Sequence, residues 1–144
     1  MSSQNKIKLL MVDDEIKFLE SISKRLVLKN FDVTTASNGK EAIASAEKGL
    51  FDVAVVDFQM PGMDGTQVLK ALKDKHKYLE IIMLTGHATV DSAVECTKLG
   101  AFKYLEKPYA FEKLVETVTE AYEARLKRNL SITKSELKRF RSCR

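Results

Sequence analysis

The side chains in this chain best suited to chemistry are carboxylates, and each stands where an apolar run gives out. Asp13 and Asp14 follow the run Ile7–Val12, and Asp57 follows Val53–Val56. Two further segments end in polar groups of other kinds: the apolar run Ile81–Leu84 leads into Thr85, and the mixed segment Phe102–Leu105 leads into Glu106, Lys107 and Pro108. Three carboxylates brought together repel, and one of them would hold a proton unless a cation stood between them. A hard divalent ion with oxygen ligands resolves that conflict. Magnesium suits it best, because it takes a few carboxylates and keeps room for water and phosphate oxygens. Beside such an ion one carboxylate stays ionised and can attack phosphorus, which makes an aspartyl phosphate. The ion and a lysine then offset charge on the transferring group. Asp57 is the best candidate nucleophile, since the Gly-rich segment Pro61-Gly62-Met63-Asp64-Gly65 follows it and leaves it accessible.

Taken singly, each of these residues has a plainer use. An Asp at a strand end commonly caps a helix or turns the chain, Thr85 can be a loop hydroxyl, and Lys107 an ordinary exposed lysine. Tyr104 is as well placed for a core as for a switch, and His76 and His87 read as surface residues. Such uses do not explain why these groups end four separate units.

The elements that position them can be read from periodicity. Apolar runs alternate five times with amphipathic segments. Ile16, Leu19, Ile22 and Leu26 recur at helical spacing within Glu15–Leu28. Asn38 to Glu41 reads as a capping box opening the helix that Gly49 stops, and Asp64-Gly65-Thr66 opens the next. A helix over Ser92–Leu99 ends at Gly100, and Phe111–Lys127 is the longest. Strand–helix alternation with short links requires parallel pairing. The first, third and fourth strands are apolar on both faces, as covered strands must be. The second and fifth carry Asp32, Thr34 and Lys103, which suits edges. The expected fold is therefore α/β, a flavodoxin-like doubly wound five-stranded parallel sheet in the order 2-1-3-4-5 with five helices. Ligands bind such sheets beyond the carboxyl ends of the strands at the switch point, where Asp13, Asp14, Asp57, Thr85 and Lys107 fall.

Composition sets the bounds. A chain of 144 residues with 44% hydrophobic and 31% charged side chains fits one globular domain and a short appendage. No run approaches the length of a membrane span, and Ile7–Val12 is too short and wrongly flanked for a signal peptide, so a cytoplasmic protein without membrane contact is expected. Cys96 and Cys143 belong to no ligand cluster; Cys96 reads as packing filler and Cys143 as an exposed, reduced thiol. The net charge of +4 is matched by the surplus of residues 129–144, where Lys134, Lys138, Arg139, Arg141 and Arg144 face only Glu136. A nucleic-acid reading would rest on that tail alone. A solvated end is favoured there, although Thr133 to Glu136 could open a short basic helix. Neither GxGxxG nor a Walker loop is present. A dehalogenase-like phosphatase would need its nucleophile on the first strand with a second Asp two residues on, whereas Asp13 and Asp14 are adjacent.

The segments Val12-Asp13-Asp14-Glu15, Val56-Asp57-Phe58-Gln59-Met60-Pro61-Gly62-Met63-Asp64-Gly65, Met83-Leu84-Thr85-Gly86 and Tyr104-Leu105-Glu106-Lys107-Pro108 together resemble a receiver domain of two-component response regulators. The resemblance covers about residues 6–127 and leaves 128–144 as a basic tail or the start of a linker. Leu84-Thr85-Gly86-His87-Ala88 with Ser92-Ala93-Val94 is most similar to receivers of sigma-54-dependent, nitrogen-regulation-type activators. The resemblance implies that Asp57 accepts a phosphoryl group from a phosphohistidine on a sensor histidine kinase or phosphotransfer protein. It implies that Asp14 and Asp57 ligate Mg²⁺ directly, Asp13 through water and Gln59 through its backbone carbonyl. Lys107 and Thr85 would contact the phosphoryl group, and Tyr104 would turn inward with Thr85. Gln59 and His87 would tune loss of the phosphate, and the Lys107–Pro108 bond would be cis. Such a protein catalyses its own phosphorylation and dephosphorylation but is primarily a signalling switch, read out through the fourth helix, fifth strand and fifth helix. Phe111, Val115, Val118, Tyr122 and Leu126 recur at spacings of three and four along the last helix, so part of that face would serve packing and part could form a homodimer seam. Two forms fit: a stand-alone receiver, or a fragment of a larger activator whose output domain, and any nucleic-acid contact, lies beyond residue 144.

Overall fold

The computed structural model of the protein describes residues 6–58, 60, 62, 64–86 and 90–142, with side chains described to residue 128 apart from 90–92. Five strands, β1 (Ile7–Val12), β2 (Phe31–Ala36), β3 (Val53–Asp57), β4 (Glu80–Thr85) and β5 (Lys103–Glu106), alternate with α1 (Ile16–Leu28), α2 (Gly39–Lys48), α3 (Gly65–Lys75), α4 (Val90–Lys98) and α5 (Phe111–Ser142). All neighbouring strands are parallel, in the order β2-β1-β3-β4-β5. The expected topology is thus the observed one, and the textures of the strands explain why. Every residue of β3 and β4 is buried, whereas β2 and β5 keep exposed positions, as edges do.

Alternation along the strands splits the core in two. Leu9, Met11, Val53, Val55, Ile82 and Leu84 pack against Leu19, Ile22 and Leu26 of α1 and Leu114, Val118 and Ala121 of α5. Leu10, Val12, Ala54, Val56, Ile81 and Met83 pack against α2, α3 and α4 through Ala42, Ala46, Val68, Leu69, Leu72 and Cys96. Cys96 is therefore the packing residue expected. Among the described residues no helix is long and apolar enough to cross a membrane.

Local chemistry starts and stops the helices. Asp64 caps α3 with a complete box: its carboxylate accepts the Gln67 N–H at 3.0 Å, and the Gln67 side chain accepts the Asp64 N–H at 3.0 Å. The Thr66 hydroxyl and that N–H hold the Asp64 carboxyl below its ordinary range. Asp64→Ala should cost about 1 kcal/mol at neutral pH, read as a lower denaturant midpoint. Because the folded carboxyl titrates below the unfolded one, the difference from wild type should shrink as acid protonates it. At α2 the box is half formed. Asn38 accepts the Glu41 N–H at 2.9 Å, but Glu41 reaches past Asn38 to the N–H and hydroxyl of Ser37.

Several expectations need correction. Ile16 does not join the buried face of α1 and is 60% exposed; it is the first helical residue, and the packed stripe starts a turn later. The fourth helix begins earlier than Ser92, at Val90, and the fifth strand runs one residue later than expected, over Lys103–Glu106. The largest difference lies at the C-terminal end, where α5 does not stop near Lys127 but runs 32 residues, to Ser142. No Gly or Pro occurs after Pro108, so nothing in the chain breaks the helix. Two ion pairs tie it to the amino-terminal edge of the sheet. Arg125 lies 3.3 Å from Asp52, and Arg128 lies 2.7 Å from the carboxylate of Glu80, which is 1% exposed. The Arg128 contact lacks the alignment of a hydrogen bond, so it is a pairing of charge.

Candidate functional site

At the opposite edge, where the strands end, β1 and β3 lie side by side with Val12 paired to Val56. This register sets Asp13 and Asp14 beside Asp57. One carboxylate oxygen from each of the three lies within 4.8 Å of the others. Their environments differ. Asp13 is fully buried, Asp57 is 6% exposed, and Asp14 is exposed. Asp13 Oδ1 accepts the Glu15 N–H at 2.9 Å, which ties the carboxylate to the start of α1.

A cation from the far side of the sheet completes the cluster. Lys107 lies in the loop after β5, and its backbone N–H donates to the Thr85 carbonyl at 2.7 Å. The side chain crosses to the acids, with Nζ 3.2 Å from Asp13 Oδ2 and 3.7 Å from Asp57 Oδ2. Burial pulls its pKa down, but the charges of Asp13, Asp57 and Glu15 and the hydrogen bond to Asp13 win, and the net shift is upward. Lys107 therefore carries its charge throughout the neutral range. The Lys107–Pro108 bond is cis, as expected.

Thr85 ends β4 and is 1% exposed, one strand away from Asp57, whose partner in the register is Leu84. Tyr104 sits on β5 opposite Met83, half-buried against the core on the α2, α3 and α4 side. The structure thus gathers Asp13, Asp14, Asp57 and Lys107, sets Thr85 on the same rim, and places Tyr104 behind it. Gln59 and His87 lie outside the described residues. Three carboxylates facing one ammonium leave a surplus of negative charge. Asp13, Asp14 and Asp57 offer hard oxygen donors only, a set suited to a hard divalent cation.

Two neighbours of Lys107 escape sequence reasoning. Phe18, on α1, presents its ring 5.4 Å from Nζ. The signal was its place four residues after Asp14, one helical turn from the rim. Tyr109 follows two residues after Lys107; burial, with the charges of Asp13 and Asp57 adding, pushes its phenol up to about 12.

Known proteins resemble this chain over most of its length. The family description "response regulator receiver domain" matches residues 9–119. The transcriptional regulatory protein ZraR of Klebsiella oxytoca is 34% identical over 119 residues, 83% of this chain and 27% of the relative. The DNA-binding transcriptional regulator NtrC of Salmonella typhimurium is 36% identical over 111 residues, 77% of this chain and 24% of the relative. The chain thus spans about a quarter of the length of these curated relatives. Among solved structures, a CheY-like receiver domain protein from Methanospirillum hungatei aligns with a TM-score of 0.82 at 28% identity, over 86% of this chain and 99% of that one. NtrX from Brucella abortus aligns with a TM-score of 0.80 at 25% identity, over 90% of this chain and 29% of that one.

Proposed function

Since this chain belongs to the response regulator receiver domain family, we propose that Asp57 is its phosphoacceptor, charged by a phosphohistidine of a sensor histidine kinase or phosphotransfer protein. The supporting observation is the convergence of three carboxylates, with one ammonium reaching in, at a single rim of the sheet. A carboxylate oxygen of Asp57 forms the new O–P bond as the P–N bond breaks. The electron pair returns to the imidazole nitrogen, which takes up a proton. Lys107, held by Asp13, offers N–H donors to the phosphoryl oxygens, and the Thr85 hydroxyl offers another. Asp14, Asp57, Asp13 and the Gln59 carbonyl would hold Mg²⁺, which when bound supplies positive charge to the crowded carboxylates and the phosphoryl oxygens. Gln59 and His87 screen or admit the water that later removes the phosphate.

The aspartyl phosphate carries close to twice the charge of the carboxylate and more acceptor oxygens. Contacts from Lys107 and Thr85 favour the conformer that brings them inward, so Tyr104 follows and the surface formed by α4, β5 and α5 changes. We assign the receiver to residues 6–127 and a basic extension to 128–144, within a cytoplasmic protein that reads out through partner binding or dimerisation. A second reading, a fragment of a larger sigma-54-dependent transcriptional activator, is favoured by the share of its relatives that the chain spans. The test is direct. Incubated with acetyl phosphate and Mg²⁺, the protein should gain one phosphoryl mass, labile to hydroxylamine and prevented by EDTA. No gain in mass under these conditions would overturn the proposal.

A further inference from the structure

Lys107 works only if its ammonium rests at the mouth of the acid cluster, and most of what holds it there is flexible. A lysine stem has four rotatable carbons and substantial rotamer freedom to lose. Asp13 engages Nζ at 3.2 Å, while Asp57, at 3.7 Å, lies beyond hydrogen-bond reach of it. The charge of exposed Glu15 also acts on Lys107. Against this, the Phe18 ring stands 5.4 Å from Nζ, within range of an attractive aromatic–ammonium contact. Phe18 is packed against the core face that includes Leu19 and Leu114, so its ring has a fixed seat. With Lys107 and Tyr109 it also lines one wall of a hollow of about 330 Å³, so ring and ammonium border the same space.

On the reading of Asp57 as phosphoacceptor, we propose that Phe18 is a positioning residue: its ring face seats the Lys107 ammonium and so sets the rate at which Asp57 gains its phosphoryl group. The chemistry of the ring suits the task. Its face is negative, so it attracts an ammonium and repels carboxylates. It takes no hydrogen bond of the ordinary kind, which keeps the three N–H donors of the lysine for Asp13 and the incoming oxygens. A carboxylate in its place would bind the ammonium too well and compete with the substrate.

The experiment measures labelling by acetyl phosphate with Mg²⁺, by intact mass, across donor concentrations. Phe18→Leu keeps the apolar bulk and removes the ring. It should lower the saturating rate by roughly 3- to 10-fold, within the range such a contact commands, and leave the half-saturating donor concentration unchanged. Phe18→Tyr should stay within about 2-fold of wild type, since the aromatic face remains. In a Lys107→Met background the same Phe18→Leu change should cost nothing further, because there is no ammonium to seat. Independently of any phosphate, proton NMR should show the Lys107 ε-methylene shifted upfield by the ring in wild type and in Phe18→Tyr, and not in Phe18→Leu. A full rate in Phe18→Leu, or a penalty that persists without the ammonium, overturns the positioning role while leaving Asp57 as acceptor. A wild-type protein that takes no label overturns both.

Discussion

Asp57→Asn should take up no hydroxylamine-labile phosphate from acetyl phosphate, even over times that fully label the wild type. An amide oxygen is far too weak a nucleophile to displace the donor, and no adjacent group restores it. The loss is one of chemistry and not of folding. Lys107 keeps its bond to Asp13 at 3.2 Å, and the change removes one of three carboxylates whose oxygens lie within 4.8 Å of each other. Thermal melts without Mg²⁺ should therefore show the variant as stable as the wild type or more so, since like charges so close oppose folding. Labelling of Asp57→Asn at the wild-type rate would move the acceptor to Asp13 or Asp14 and end the assignment.

Gly65→Ala should strike the same site through the backbone. A Cβ built on Gly65 would lie 2.5 Å from the Asp57 carbonyl oxygen, 2.6 Å from the Phe58 Cα and 2.7 Å from the Phe58 carbonyl oxygen. All three are main-chain atoms, so no side chain can swing aside. The approach is that close because the Gly65 N–H donates to the Phe58 carbonyl at 2.8 Å, docking the start of α3 on the segment just after Asp57. Overpacking of this kind costs about 3 kcal/mol, which for a domain of this size lowers the melting temperature by about 10 °C. Labelling of Asp57 should slow as well, because the strand end that carries it has to shift. An unchanged melting temperature would show that α3 can back away freely, contrary to this docking.

Strand order was legible because the sheet divides its labour by polarity. Val53–Val56 and Ile81–Leu84 carry no polar residue, whereas Asp32 and Lys103 mark strands with a wet side. The acid cluster was legible for a related reason: its members end the strands that the topology places side by side. What stayed hidden depends on contacts between distant parts of the chain. Glu80 looks like a loop residue before an apolar run, yet it is the first residue of β4 and 1% exposed, because Arg128 reaches it from α5. Nothing local announces that pair. Likewise Asp13 and Asp14 are indistinguishable by type, and only the packing of the loop makes one buried and the other exposed. The reach of α5 stayed hidden because a basic stretch suits a solvated end as well as a helix, and only the absence of Gly and Pro after Pro108 favours the helix.

The two arginine pins give the molecule a lever arm. Arg125 and Arg128 fix α5 to the sheet near the middle of its length, and the helix continues for some 14 residues beyond the second pin, to Ser142. At 1.5 Å per residue that arm is about 20 Å long. A tilt of only about 5° at the fulcrum therefore carries the far end through about 2 Å, as far as helices slide at subunit contacts in switching proteins. Small repacking beneath the helix is magnified with distance, and the rod delivers it as travel.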